Sequence, residues 1–156
     1  MQINFSNEPI KVSDKSIFLA GPTLRGETYD KSWRKEACNI LEKLRFDGLV
    51  YIPEFENGNM KPDLTSQADW ERQGLTEASC ILFYIPRKLP ELPGFTTNIE
   101  LGMYMVKKPD ACELCIPPEA EKVSYIKWLW EKEGHDTMYE TLEDALTNIV
   151  NKLNSN

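Results

Sequence analysis

Apolar residues fall along this chain in short unbroken runs, separated by longer stretches in which they recur every three or four positions. The runs are residues 16–21 (SIFLAG), 49–53 (LVYIP), 80–86 (CILFYIP) and 111–116 (ACELCI). Each has strand length, is bounded by turn residues and is apolar on both faces, as in a parallel strand covered on two sides. Helical spacing starts near Ser32 with Trp33, Ala37, Ile40, Leu41 and Leu44 and stops around Asp47-Gly48. Further helices are predicted over 68–78, 98–106 and 120–133, the last ended by Gly134. A final amphipathic helix is capped by Thr141-x-x-Asp144 and carries Leu142, Ala145, Leu146, Ile149, Val150 and Leu153. Strands alternating with helices predict one α/β domain, a parallel sheet of four to five strands with helices on both faces. Residues 1–15 read as an N-terminal extension and 16–156 as the domain. The connection over 54–67, rich in Gly, Asn, Pro and acid, is long enough to be a lid or rim.

Composition narrows the partners. At 156 residues and 41% hydrophobic content the chain can fill one core, so a site must lie in a cleft of that domain or between subunits. A formal net charge of -7 and a pI near 4.8 argue against a nucleic-acid duplex or an anionic membrane, both of which require a basic surface. A free small molecule is the expected ligand. No apolar run has the length of a membrane span and the first residues are too polar for a secretory signal, so a cytoplasmic protein is expected. Cys112 and Cys115 form a Cys-x-x-Cys, but in a strand an offset of three sends the two thiols to opposite faces. With one histidine, His135, no zinc set is expected, and the four cysteines read as reduced, buried thiols.

The segment FTTNIELG, 95–102, carries the most chemistry. It follows the apolar strand at 80–86, and in an open parallel sheet the ligand crevice lies outside the carboxyl ends of the strands. Glu100 is therefore a candidate nucleophile or base. Thr97-x-x-Glu100 also matches a capping box, in which both side chains serve the helix start. Gly21-Pro22-Thr23, ending the first strand, would let a ligand approach the backbone, or is a plain turn. Asp69 is either a helix-start acid or a second carboxyl beside Glu100, and two carboxyls in one cleft can divide nucleophile and proton-transfer roles. Trp33, Arg34 and Trp70 are candidates to stack on or hydrogen-bond a flat heterocycle, with Thr97 and Asn98 as further substrate contacts. Trp128 and Trp130 read as core or subunit-interface residues. Neither a P-loop nor a Gly-x-Gly-x-x-Gly fingerprint is present.

The order FLAGPTLRG, SWRKEA, ADWERQGLTEASCILFYIPR and LPGFTTNIELGMYM resembles the nucleoside 2-deoxyribosyltransferase-like family, over most of the chain from Ser16 onwards. The resemblance implies a flavodoxin-like, Rossmann-like domain, a homodimer or higher homo-oligomer, that cleaves the N-glycosidic bond of a nucleoside or nucleotide. It implies that a glutamate matching Glu100 attacks the anomeric carbon to give a glycosyl-enzyme ester, and that a free base (transferase) or water (hydrolase) then displaces it. An acidic residue before the central strand handles the base, and Asp69 is the match. The helix N-terminus is expected to keep Glu100 ionised, and its charge to stabilise an oxocarbenium-like transition state. Well-studied members commonly carry a tyrosine in the first strand and an aspartate ahead of the glutamate; this chain has Phe18 and the stretch Leu92-Pro93-Gly94-Phe95.

Three functions follow: a nucleoside deoxyribosyltransferase of nucleotide salvage without metal or organic cofactor; a nucleoside 5′-monophosphate N-glycosidase in which Arg25, Arg34 or Arg87 grips the phosphate; and a non-catalytic nucleotide-binding module that keeps only the fold.

Overall fold

The computed structural model describes residues 1–24, 27–57 and 63–155. Five parallel strands form one sheet: β1 (Gln2–Phe5), β2 (Ser16–Ala20), β3 (Leu49–Ile52), β4 (Cys80–Tyr84) and β5 (Cys112–Cys115), in the order β1-β3-β2-β4-β5. Five α-helices connect or flank them: α1 (Trp33–Lys43), α2 (Leu64–Glu77), α3 (Phe95–Lys107), α4 (Ser124–Lys132) and α5 (Leu142–Asn154). This is the flavodoxin-like α/β architecture.

Alternation along the central strands builds two cores. Ile17 and Leu19 of β2 point to one face, where Ala37, Cys38 and Leu41 of α1 and Leu146 and Ile149 of α5 cover them. Phe18 and Ala20 point to the other, against Trp70 and Leu75 of α2, Leu101 and Tyr104 of α3 and Ile126 of α4. Cys112 and Cys115 lie in opposite cores, and all four thiols are free and buried. Burial pushes Cys80, Cys112 and Cys115 up to about 12, which keeps them protonated and unreactive at neutral pH.

Residues 2–5, within the stretch read as an extension, add the edge strand β1, paired with β3 from Gln2 opposite Leu49 to Phe5 opposite Ile52. QINF is short and half polar, so alternation alone does not distinguish it from a tail. Asn4 holds the return of the chain, accepting from the Lys11 amide at 2.9 Å and donating to the Pro9 carbonyl at 3.1 Å.

Two helices begin earlier than their apolar spacing predicts. The helix expected from 68 starts at Leu64, because Asp63 caps it by accepting from the Ser66 amide at 2.7 Å. The helix expected from 98 starts at Phe95, after Gly94 turns the chain at φ 61°. The expected Thr97 capping box is therefore absent: Thr97 is the third helical residue, buried, and the cap position belongs to Gly94. Ser32 does cap α1, through the Arg34 amide at 3.2 Å, and Thr141 caps α5.

The chain leaves β2 towards β3 on one side and β4 towards β5 on the other, which makes the carboxyl ends of β2 and β4 the switch point where such sheets bind ligands. Among the described residues no helix is long and apolar enough to cross a membrane.

Candidate active site

The switch point is built around a buried cation. Arg34, on the first turn of α1, is fully buried beneath the end of β2. Its Nε donates to the Leu19 carbonyl at 2.9 Å, Nη2 to the Gly21 carbonyl at 2.7 Å, and Nη1 to Thr23 Oγ1 at 2.9 Å and Glu54 Oε1 at 3.5 Å. Burial lowers its basicity, while the charges of Glu54, Glu71 and Glu100 raise it. The guanidinium thus fixes Gly21-Pro22-Thr23 and serves as countercharge to three carboxylates drawn from different elements.

Gly21 is required by the protein itself: a Cβ there would run into the Tyr84 carbonyl and the Trp33 ring at 2.8 Å. Trp33 Nε1 donates to the Pro22 carbonyl at 2.9 Å, and its ring lies 4.9 Å from that of Tyr84. These two rings, with Leu24, Pro86, Leu92 and Asn39, wall a pocket of about 480 Å³ on the α1 side of the crevice. Glu100 does not line that pocket.

Glu100 sits in the second turn of α3, half-buried. Its carboxyl is pushed up to about 7, first by burial and then by the charge of Glu71, with Arg34 acting in the opposite sense. The expectation that the helix N-terminus keeps it ionised is overturned. The dipole acts within the first turn, and the earlier start at Phe95 moves Glu100 past it.

Other expected contacts land elsewhere. Asp69 is exposed on α2, whereas Glu71, two positions on, is half-buried and is the α2 acid whose charge reaches Glu100. Trp70 is a core residue, its ring tilted against Phe18 and edge-to-face with Tyr51, and its Nε1 donates to the Glu8 carbonyl at 2.8 Å, so it is packed into the core and not presented to a ligand. Asn98 Oδ1 accepts from Arg87 Nη2; Arg87 Nε donates to the Pro93 carbonyl at 2.7 Å and Nη1 to the Lys122 carbonyl at 2.9 Å. Arg34 and Arg87 are thus engaged with protein oxygens, and Arg25 lies outside the described residues. Trp130 is buried and stacked on His135 at 3.8 Å, whereas Trp128 stays half-exposed.

Sequence spacing missed Glu54, Gln67 and Glu71. Glu71 and Gln67 share a helix face one turn apart, a signal readable once α2 is started at Asp63; nothing local marks Glu54, which reaches Arg34 through the tertiary fold.

A family model described as nucleoside 2-deoxyribosyltransferase like matches residues 14–119. The chain belongs to the nucleoside 2-deoxyribosyltransferase-like family. A comparison with curated proteins finds no match. The family match spans β2 through β5 and so takes in the Gly21-Pro22-Thr23 turn, Arg34, Glu71 and Glu100, while β1, α4 and α5 lie outside it.

Proposed function

We propose that the protein cleaves the N-glycosidic bond of a deoxyribonucleoside and transfers the sugar to a second base, by way of an ester between the sugar and Glu100. The observation that carries the reading is Glu100 itself: a half-buried carboxyl near neutrality, beside the switch point of a sheet of this family. Its carboxylate attacks C1′ as the C1′–N bond breaks. Positive charge developing on the sugar draws Glu100 towards its ionised form, so an interaction weak in the free protein strengthens in the transition state. The incoming base then attacks C1′ and releases the carboxylate. Trp33 and Tyr84 offer aromatic surface to a base in a pocket of suitable size. Among the described residues Arg34 and Arg87 are already engaged with protein oxygens, which favours a nucleoside over a nucleotide.

Incubation with a deoxynucleoside and a different free base tests the reading. Base exchange supports it, release of base and free sugar makes the protein a hydrolase, and no reaction leaves a binding module.

The reading extends to a cytoplasmic homodimer or higher homo-oligomer. Phe95, Ile99 and Val106 of α3 and Tyr125 and Trp128 of α4 are exposed apolar side chains on neighbouring helices, and a second copy would cover them.

A further inference from the structure

We propose that Arg34 governs the second half of the reaction: its buried positive charge stabilises the Glu100 carboxylate as the sugar leaves it, and so sets how fast the glycosyl-enzyme ester is discharged. The inference rests on the reading of Glu100 as nucleophile. α1 follows β2 and α3 follows β4, and these strands are neighbours, paired from Ile17 opposite Cys80 to Ala20 opposite Phe83. α1 packs on one face of the sheet and α3 on the other, so Arg34 and Glu100 approach each other over the carboxyl edge.

Arg34 is fixed before any ligand arrives. Each nitrogen of its guanidinium donates to a protein oxygen: Nε to the Leu19 carbonyl, Nη2 to the Gly21 carbonyl, and Nη1 to Thr23 Oγ1 and Glu54 Oε1. Ser32 Oγ donates to the same Glu54 oxygen at 2.5 Å and so holds that carboxylate in place. Arg34 is therefore a positioning residue, acting on the sugar only through Glu100. Among the described residues no hydrogen bond reaches the Glu100 carboxyl, and its charged neighbours are Arg34 and Glu71. Glu71 is of like sign, accepts from Gln67 at 2.8 Å and takes part in a further interaction of its own. Arg34 is the charge that favours the free carboxylate.

The two half-reactions use that charge differently. In the first, Glu100 bonds to C1′ while the C1′–N electron pair leaves with the base, which takes a proton from water. The carboxylate charge is consumed, so a fixed cation gives the attack no help beyond keeping Glu100 ionised. In the second, a nitrogen of the incoming base bonds to C1′, the C1′–O electron pair returns to the carboxylate, and the proton of that nitrogen passes to water. Negative charge then grows on Glu100 near a cation that need not reorient. Glu54 limits the effect, because a guanidinium paired with it exerts less than its full charge.

The test measures ester formation on a deoxynucleoside, and ester decay on addition of a free base, by rapid-quench mixing and intact-protein mass spectrometry. Wild type, Arg34→Met and Glu54→Gln are compared above the range in which Glu100 titrates. Arg34→Met should slow decay about tenfold or more, short of the loss caused by removing a direct oxyanion donor, and leave formation within about threefold. In the steady state kcat and KM then fall together while kcat/KM holds. Glu54→Gln keeps the oxygen that Ser32 and Arg34 bond but not its charge, so the fold is retained and decay should quicken about twofold or more. Decay unchanged in Arg34→Met, formation and decay falling together there, or decay unchanged or slower in Glu54→Gln would overturn the proposal and leave Arg34 a structural clamp. Should Arg34→Met fail to fold, Glu54→Gln decides alone. A wild type that exchanges bases without forming an ester removes the nucleophile reading, and this inference with it.

Discussion

The Tyr104 hydroxyl donates to the Arg72 carbonyl at 3.2 Å and thereby sets the height of α3 against α2, one turn below the carboxylates of Glu100 and Glu71. Tyr104→Phe keeps the ring in the core and removes this bond together with the hydroxyl's contact to Thr76 Oγ1 at 3.2 Å, so a stability loss of about 1 kcal/mol is expected in urea titration. Turnover should fall further than that loss explains, because the two carboxyls sit on the helices the bond aligns. An enzyme with unchanged turnover would separate the helix contact from the site.

Glu100 makes stability depend on pH. Its folded value, about 7, lies above the unfolded 4.5, so between these values the folded state holds a proton the unfolded state has lost. The contribution of Glu100 to stability is therefore most favourable below about 4.5, declines as pH rises to about 7, and levels off above it. Glu100→Gln lacks this penalty. It should equal the wild type near pH 4 and exceed it by on the order of 2 kcal/mol at pH 8, the full shift being discounted for partial solvent access. Thermal melts at the two pH values decide this, and a glutamine protein less stable at pH 8 would contradict it.

The same carboxyl shapes the rate. A nucleophile must be ionised, so kcat/KM should rise with pH through about 7 and level off above it. Glu100→Gln should lose several orders of magnitude in turnover. A profile flat from pH 5 to 8 would mean that Glu100 does not titrate in the free enzyme.

Gly21 is a packing constraint at the edge of the site. A methyl group there meets the Tyr84 carbonyl, which β4 cannot withdraw, and the Trp33 ring, which is tied to Pro22. Gly21→Ala should cost about 2 kcal/mol or more and disturb the Trp33 pocket. Denaturant midpoint and the fluorescence of Trp33 report the two effects, and an unperturbed variant would show that the strand ends can separate.

Legibility follows locality. The strands at 16–20, 49–52, 80–84 and 112–115 announce themselves because each is buried on both faces, and Ser32 and Thr141 are local caps with local signatures. β1 is hidden because an edge strand need not be apolar on both sides, and the start of α3 because Gly94 begins it without a side-chain cap. Glu100 is legible from its motif. Its raised proton affinity is not, since it arises from burial and from Glu71 on another helix. Motif order favours Asp69 over Glu71, because it does not report which side of α2 faces the crevice. Trp70 reads as a stacking platform from its residue type alone, whereas the fold lays its indole on Phe18.

Exposed apolar surface on α3 and α4 predicts self-assembly. Phe95, Ile99 and Val106 stand 62–71% exposed on α3, and Tyr125 and Trp128 stand 70% and 49% exposed on α4. A cleft of about 150 Å³ separates the two helices, lined by Gly102, where an added methyl group would meet nothing within 4 Å, and by Met105, Ile126 and Leu129. Exposed apolar side chains gathered on neighbouring helices mark a surface that a partner would cover. A ridge, a groove and a second ridge on one face suit a two-fold contact, in which the α3 ridge of each copy enters the groove of the other. Trp130, buried against His135, takes no part. Light scattering at micromolar concentration should give at least a dimer, and Ile99→Glu should shift it towards monomer with little change in the far-ultraviolet spectrum. A wild-type protein that is strictly monomeric and fully active would sink the interface and any need for a second copy at the site.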